Sequence, residues 1–490
     1  MAKRIEEIPS VGKALAMLRA MRDDRLGALD DFNAQGRDIG RFGTIFGHVV
    51  LANTPELVHE ILVSKAKSFA KSPVLRGALH PLAGDGLFTS EGDLWKRQRK
   101  IMAPLFQPSA IGAYARAMTQ ATERAISDWR DGDVVDVARE TTRITMAIAG
   151  LTLFDADTFE EADQLGAALT TALDWAGEQT SRPTLVVQAR ASIGLGLLAD
   201  KVPEPLSHHL RAASERAVLP ILWPGQRSRD LRAAIGLLEQ RVARMIADRR
   251  ARPTERRDLL SLLLAARDED DGSAMSDRQV RDEVLTLFVA GHETTANALC
   301  WALMLLSQHP AILAAVRAEA DAVGRTPTAA DAPRLPLALA VFKEALRMYP
   351  AVYLFGRVVT APVQIGEWDL PKGTVVLVGP YALHRKESLW PDPLRFDPSR
   401  FSPEAEAKRH KQAFIPFGAG PRSCIGNHFA LLEGPLVLAT LLRRADLELL
   451  HPRGAEPEPS ATLRPKNGLP MRVRLRRRAS SQTFDSEATS

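Results

Sequence analysis

The sequence has few cysteines and no long apolar run near its start. Two cysteines, Cys300 and Cys424, stand far apart in 490 residues, whereas an oxidised, secreted chain of this size usually carries more. Residues 1–7 lack the apolar core of a signal peptide, and no stretch near them approaches the roughly twenty apolar residues of a membrane anchor. We therefore expect a soluble, cytoplasmic protein without a membrane anchor.

Two further features are absent from the sequence, and each excludes a class of binding partner or cofactor. The net charge of +5 comes mostly from scattered arginines, and no aromatic residues interleave with a basic stripe as nucleic-acid binding requires. No glycine-rich motif of a flavin or nicotinamide module is present. The sequence predicts neither a nucleic-acid-binding protein nor an enzyme that carries its own reductase.

The composition that is present, 45% apolar and 25% charged, is enough for a large core. Clear helical periodicity occurs in four segments, 110–129, 229–250, 258–266 and 311–322. Loops are expected at 249–257 and 268–273. The sequence therefore predicts a mainly α protein.

A small β region accompanies these helices. β-Branched and aromatic residues predict a hairpin at 41–53 and further strands between 357 and 378, with a turn at 370–373. We expect one domain, 1–478, whose β-rich parts are about 41–55 and 352–400. Residues 479–490 are expected to be a disordered tail.

The most distinctive predicted element is a long apolar helix from Ser276 to His309. Ser276 and Gln279 match a capping box at its start. A membrane span is too costly because the helix contains five ionisable residues, Arg281, Asp282, Glu283, His292 and Glu293. We predict a central buried helix.

A polar island, residues 290–295, interrupts this helix. Ala290 and Thr294 stand four apart on one face, and their small side chains leave room for a planar cofactor. The Thr294 hydroxyl can donate back to the carbonyl of residue 290 and loosen the helix locally. A bend of this kind without any chemistry remains the alternative.

Cys424 ends a glycine-rich loop and precedes an apolar helix. Nearby Arg422, the free amides of a helix start and the loop glycines all favour the thiolate, which is the form that binds metals. Haem iron accepts such a ligand. A lone buried cysteine otherwise behaves as a small apolar residue, which is what we expect of Cys300.

The cysteine loop resembles the haem-binding signature of the cytochrome P450 monooxygenases, Phe-x-x-Gly-x-Arg-x-Cys-x-Gly. The residues that carry this resemblance are Phe417, Gly420, Arg422, Cys424 and Gly426. The resemblance extends over roughly 40–475 and implies the cytochrome P450 fold of the soluble bacterial type. It also implies haem b with the Cys424 thiolate as axial ligand.

The resemblance assigns further residues to the cofactor. Haem propionates need cations and donors at their rim, and the implied contacts are Trp95, Arg99, Arg357 and Arg422. Other implied cofactor contacts are Ala290, Phe417, Gly418 and Gly426. Glu293 and Thr294 are similar to the acid-alcohol pair that supplies protons during oxygen activation.

Substrate contacts follow from the same resemblance. The run 84–90 is similar to fatty-acid-hydroxylating bacterial members, in which an aromatic residue lies above the haem; here that residue is Phe88. The other implied substrate contacts are Val289, Ala290, Leu354 and Phe355. Residues 150–250, including 203–210 and 219–224, are expected to form a substrate lid.

Glu344 and Arg347 stand three apart on a helix face. Alone, such a pair is usually an ordinary surface ion pair. It is similar to the Glu-x-x-Arg core pair of the family, which the resemblance extends to Arg400. We expect a buried network that braces the cysteine loop.

The function implied is insertion of one atom of O2 into an apolar substrate such as a fatty acid, terpenoid, steroid or polyketide. Electrons are expected from a separate ferredoxin or flavodoxin with its NAD(P)H reductase, and the enzyme is expected to be a monomer. A basic docking face is predicted from Lys96, Arg97, Lys100, Arg409 and Lys411. A peroxide-driven peroxygenase and a non-catalytic haem-thiolate sensor or carrier remain alternatives.

Overall fold

The computed structural model describes residues 2–12, 14–44, 47–219, 225–252, 258–267, 272 and 274–476. Most of the predicted loops at 249–257 and 268–273, most of the segment 219–224, and the predicted tail 479–490 lie outside these residues. The helices within the described ranges are α1 Ala14–Asp23, α2 Arg25–Ala34, α3 Pro55–His59, α4 Pro73–Ala83, α5 Gly92–Met102, α6 Pro108–Ile111, α7 Ala115–Ser127, α8 Val137–Leu153, α9 Ala162–Ser181, α10 Pro183–Ala199, α11 Leu206–Ala217, α12 Gln226–Ala251, α13 Leu259–Ala265, α14 Asp277–Gln308, α15 Pro310–Asp321, α16 Pro336–Met348, α17 Pro380–Leu383, α18 Pro403–Lys408 and α19 Asn427–Leu442.

The strands are short and form four small sheets. They are β1 Lys3–Arg4, β2 Ile39–Thr44, β3 Gly47–Ala52, β4 Phe69–Lys71, β5 Val134–Asp136, β6 Phe355–Val359, β7 Val363–Ile365, β8 Trp368–Leu370, β9 Val375–Val378, β10 Ala445–Leu449, β11 Pro457–Pro459, β12 Leu463–Pro465 and β13 Pro470–Leu475. The largest sheet has the order β2-β3-β9-β6-β4, in which β3 and β9 are parallel and the other pairs antiparallel. The mainly α fold with a small β region is therefore confirmed.

The long helix α14 crosses the largest hydrophobic cluster, as its apolar sequence predicts. Its start has the expected capping box, in which the Ser276 hydroxyl accepts from the Gln279 amide at 3.2 Å and Gln279 Oε1 accepts from the Ser276 amide at 2.8 Å. Phe288 stacks on Phe154 at 4.6 Å between ring centroids, and Trp301 stacks on Tyr349 at 4.2 Å. These contacts fix α14 against α8 and the end of α16.

In the described ranges, no helix taken singly combines the length and apolarity needed to cross a membrane. The pair α14 and α15 meets those criteria only when taken together, and the two helices are bent by 116° relative to each other.

Three predicted elements differ from the structure. The helix expected at 110–129 is interrupted by a short 3-10 turn between Ile111 and Ala115. The stretch 363–368, expected as a single β segment, forms two strands joined at Gly366, whose φ of 53° allows the turn. The β-rich part expected at 352–400 ends at Val378, because prolines at 380, 391, 393 and 398 remove the backbone donors that a sheet needs.

Two sheets of the described chain, β10-β13-β5 and β11-β12, were not predicted. Strand β13 pairs with β10 and β5, and its Met471 and Val473 are fully buried while Arg472 and Arg474 point away from the core. This alternation is the usual sign of a half-buried strand. The arginines and the position close to the chain's end masked the signal.

Candidate functional site

The buried section of α14 keeps accessible surface only near its middle. Every residue from 282 to 306 is buried except Val289, Ala290, Gly291, Glu293 and Thr294. These five residues are half-buried, and Ala290, Gly291 and Thr294 have small side chains, so this stretch, which we call the open face, keeps accessible surface. The Thr294 hydroxyl donates to the Ala290 carbonyl at 2.8 Å, as expected from the sequence.

Cys424 lies in the loop just before α19, with its thiol accessible although protein atoms surround it. Its amide donates to the Phe417 carbonyl at 2.8 Å, which closes the loop. Gly420 has φ 68°, and a Cβ there would lie 1.8 Å from the Leu62 carbonyl oxygen, so only glycine fits. The loop therefore places the sulfur where a metal can reach it.

The cation that acts on the Cys424 thiol is Arg99 and not, as expected, Arg422. Burial raises the pKa of Cys424, while the Gly426 amide and Arg99 lower it. Arg99 donates to the Ser423 carbonyl at 2.8 Å, so the cation that acts on the sulfur comes from α5. Arg422 instead lies over the Trp95 ring, with its guanidinium carbon 3.5 Å from the centroid.

A cluster of cations stands on one side of this loop. Lys71 and Arg357 are register partners on β4 and β6, and burial lowers the pKa of Lys71 to about 7 and that of Arg357 to about 10. Arg422 pairs with Glu91. Glu91 raises the pKa of all three cations, so they surround one carboxylate. Among the described residues, Nη1 of Arg422 is also buried without a hydrogen-bond partner.

These features fit the propionates of haem, because a dianionic edge supplies the acceptors that the cation cluster lacks. The open face of α14 fits a planar group, and the accessible thiol fits an axial ligand. The predicted rim residues Trp95, Arg357 and Arg422 lie together, and Arg99 lies beside the cysteine loop. Lys71 was not predicted, because a lone lysine in a short strand has no sequence signature.

Glu293 and Thr294, the predicted acid-alcohol pair, make separate contacts. Oε1 of Glu293 accepts from the Thr462 hydroxyl at 2.6 Å, and Asn297 donates to the same hydroxyl at 3.2 Å. Burial raises the pKa of Glu293 to about 7, opposed by Thr462 and by Arg464. The structure thus holds the acid against the turn between β11 and β12, which sequence reasoning missed.

A second acid near the site was also missed. Glu433 of α19 is fully buried, and burial raises its pKa well above the ordinary value while the neighbouring Thr295 hydroxyl lowers it. Thr295 follows Thr294 on α14. A glutamate inside the apolar run 429–442 was the available signal, since buried acids need a purpose or a partner.

The Glu344–Arg347 pair is completely buried, with Nε to Oε2 at 2.6 Å and Nη2 to Oε1 at 2.8 Å. Arg400 lies 3.5 Å from the same carboxylate. Arg347 also donates to the His384 carbonyl, and His384 Nε2 accepts from the Ile415 amide at 2.9 Å. The network therefore reaches the segment that leads into the cysteine loop.

The predicted substrate residues differ in their exposure. Phe88 is exposed, while Leu354 and Phe355 are half-buried at the start of β6. Arg357 lies 4.9 Å from the Phe355 ring centroid, which connects this strand to the cation cluster. The expected lid segment 150–250 contains α9, α10, α11 and α12.

The predicted docking face is only partly exposed. Lys96, Lys100 and Lys411 are exposed. Arg409 is not an outward cation, because its guanidinium lies 4.1 Å from the Trp390 ring centroid and it donates to the Arg400 carbonyl. Its half-buried guanidinium lies close enough to the Glu344–Arg347–Arg400 network to interact with those charges.

The arrangement defines a haem-thiolate type of site, and comparisons with known proteins agree with it. The family model for Cytochrome P450 matches residues 6–186 and 206–471. Cyclooctatin synthase of Streptomyces melanosporofaciens is 35% identical, covering 85% of this chain and 84% of its own. Pentalenene oxygenase of Streptomyces avermitilis is 32% identical, covering 94% and 92%.

A solved structure gives the same result. The crystal structure of the cytochrome P450DA heme domain superposes with a TM-score of 0.79 at 28% identity, covering 96% of this chain and 97% of that one. The chain belongs to the cytochrome P450 family. It is a cytochrome P450 monooxygenase, for which family and fold imply haem with thiolate ligation.

Proposed function

We propose that this monooxygenase uses O2 and electrons from a separate ferredoxin or flavodoxin with its reductase to oxidise an apolar, terpenoid-like substrate. The observation that carries the proposal is the accessible Cys424 thiol together with the open face of α14 and the cation cluster. Relatives named cyclooctatin synthase and pentalenene oxygenase support the terpenoid class. Val289 on the open face, and Leu354 and Phe355, the further substrate contacts that the resemblance implies, are apolar and suit such a ligand.

Haem, when bound, supplies the redox and oxygen-activating chemistry. Cys424 would hold the haem through its thiolate, and Trp95, Arg99, Arg357 and Arg422 would bind the propionates. Burial raises the pKa of Glu293 to about 7, so its carboxyl can both hold and release a proton near neutral pH. Thr294 keeps a hydroxyl on the open face, where its oxygen can accept a further hydrogen bond while donating to Ala290.

Electron delivery from a separate protein is the second part of the proposal. Lys96 and Lys100 are exposed on α5, the helix whose Arg99 contacts the residue before Cys424. An acidic carrier docking there would be attracted by charges that salt screens. Turnover driven by a ferredoxin should fall as ionic strength rises; an unchanged rate contradicts electrostatic docking at this face.

The proposal is tested by spectroscopy and by a substrate screen. The reduced carbon monoxide adduct of the purified protein should absorb at the long-wavelength position typical of thiolate ligation. A panel of cyclic terpenes and matched linear fatty acids is then titrated while the haem spectrum is followed. Shifts with the terpenes and not with the fatty acids support the proposed class, and the reverse selects a fatty-acid hydroxylase. Turnover with hydrogen peroxide but never with reductase and O2 favours a peroxygenase.

A further inference from the structure

The loop between α4 and α5 is buried except for one large apolar side chain. Leu87, Thr89 and Ser90 are buried, whereas Phe88 between them is 39% exposed. A Cβ at Gly86 would lie 2.1 Å from the Thr286 hydroxyl oxygen of α14, so the loop packs too closely on that helix for any larger residue. The loop is shaped to leave Phe88 accessible.

Two ionisable side chains, the buried Glu283 and the half-buried Lys71, hold the residue immediately before Phe88. The Leu87 amide donates to Oε2 of Glu283 at 2.9 Å, and the Leu87 carbonyl accepts from Nζ of Lys71 at 2.9 Å. Nζ of Lys71 also donates to the Ser90 carbonyl at 2.9 Å. The loop is therefore clamped on both sides of Phe88 by Lys71 and once more by Glu283.

Burying these two groups is costly. Burial raises the pKa of Glu283 to about 8 and lowers the pKa of Lys71 to about 7. A well-packed apolar pair of similar volume often stabilises a core as well or better. The benefit of a buried ammonium and a buried carboxyl therefore lies in the position that they give to the loop backbone.

We propose that Glu283 and Lys71 are positioning residues that fix Phe88 and thereby determine which ligands the site accepts. This inference rests on the proposed function, because it takes Phe88 to face the substrate. Lys71 lies on β4 beside Arg357 of the cation cluster. Glu283 lies on α14, the helix that carries the open face, so the clamp links the Phe88 loop to that helix and to β4.

The experiment uses the haem-loaded enzyme and two ligands of different reach, imidazole and 4-phenylimidazole, titrated by the haem spectrum. Glu283→Leu, which removes the acceptor, should change the ratio of the two dissociation constants by at least about fivefold. Glu283→Gln keeps an acceptor oxygen and should stay within about twofold of the wild type. The matched control is Asp277→Asn, an exposed carboxylate of the same helix that pairs with Arg250 instead of the loop.

Phe88→Ala separates the clamp from general loosening of the loop. It should change the ratio on its own, and Glu283→Leu should add nothing in the Phe88→Ala background, because the clamp acts through that ring. Additive effects, or equal weakening of both ligands, overturn the proposal. If Glu283→Leu does not retain haem, Glu283→Asp, which draws the carboxylate back by one methylene, provides the same test.

The remaining outcomes distinguish failure of the clamp from failure of the proposed function. A change with Phe88→Ala and none with Glu283→Leu or Glu283→Asp rejects the clamp and leaves the proposed function standing. No change with Phe88→Ala rejects Phe88 as a ligand contact and the clamp with it. A wild-type protein without a thiolate-type carbon monoxide spectrum rejects the proposed function itself.

Discussion

The two cysteines of this chain stand in opposite surroundings. Cys300 is fully buried within α14, next to Leu299 and Trp301, and burial raises its pKa well above the ordinary value. Cys424 precedes α19 with an accessible thiol, and Arg99 and the Gly426 amide both act to lower its pKa against the effect of burial.

The difference shows that the amides and charges around a thiol determine whether it can ionise. Inside α14 each amide is already donated to a carbonyl four residues earlier, so nothing is left to stabilise a thiolate at Cys300. The loop before α19 directs the Gly426 amide at the sulfur and brings the Arg99 guanidinium close. The same side chain is therefore an inert core group in one region and the proposed axial ligand in the other.

The largest effect is expected from Cys424→Ala. Without the sulfur no residue in the described part of the loop offers a thiolate, so the long-wavelength carbon monoxide band should disappear and monooxygenase turnover should fall to the assay background. Absorbance spectra of the reduced, carbon-monoxide-treated protein check this. Cys300→Ala is the control and should keep the band. A Cys424→Ala protein that retains it contradicts the assignment of the ligand.

The next effect concerns Thr294 and Glu293, which share α14 with Cys300 but lie on its open part. Thr294→Ala should retain haem and ligand-induced spectral shifts, yet form less product for each NAD(P)H consumed, because proton supply is impaired. The pKa of Glu293 near 7 means that its proton is present below this pH and lost above it. Product yield per NAD(P)H should therefore fall as pH rises through 7.

Glu293→Gln tests the assignment of that pH dependence. The amide does not titrate, so the decline in product yield around pH 7 should vanish even though the overall yield is lower. Product and NAD(P)H are measured together from pH 6 to pH 8 in a buffer series of constant ionic strength. A decline that persists unchanged in Glu293→Gln assigns the titration to another group.

The buried pair behind the cysteine loop gives the third prediction. Glu344→Ala leaves the Arg347 charge uncompensated in the core, and removing one partner of a buried pair costs about 3–5 kcal/mol of unfolding free energy. Denaturant unfolding measures the loss. The matched control is Asp93→Ala on α5, which breaks an exposed i, i+3 pair with Lys96 and should cause no measurable change. Equal effects of the two substitutions contradict a bracing role.

The cysteine loop and α14 could be predicted from sequence because their signals are local. The spacing around Cys424 and the capping box at Ser276 each lie within a few residues. The Glu344–Arg347 pair was likewise visible as two residues three apart. Arg400 could be added only through the family resemblance.

The rest of the site depends on contacts between distant segments. Thr462 meets Glu293 across 169 residues, and Leu87 meets Glu283 across 196. No periodicity or spacing encodes such pairs, since they are set by how helices and turns pack. Arg409 was misplaced on the surface for the same reason: its position over Trp390 is a tertiary contact.

The smallest effect is expected at Cys300, which completes the contrast with Cys424. Cys300→Ala removes one buried sulfur without exposing a polar group, and we expect it to cost about 1 kcal/mol of unfolding free energy. Cys300→Ser places a hydroxyl in the same apolar surroundings and should cost more, about 1–3 kcal/mol, unless the hydroxyl donates back along α14. Denaturant unfolding of both variants, alongside their haem content, checks this order. Loss of haem in Cys300→Ala would contradict a purely packing role, because it would link this thiol to the cofactor site.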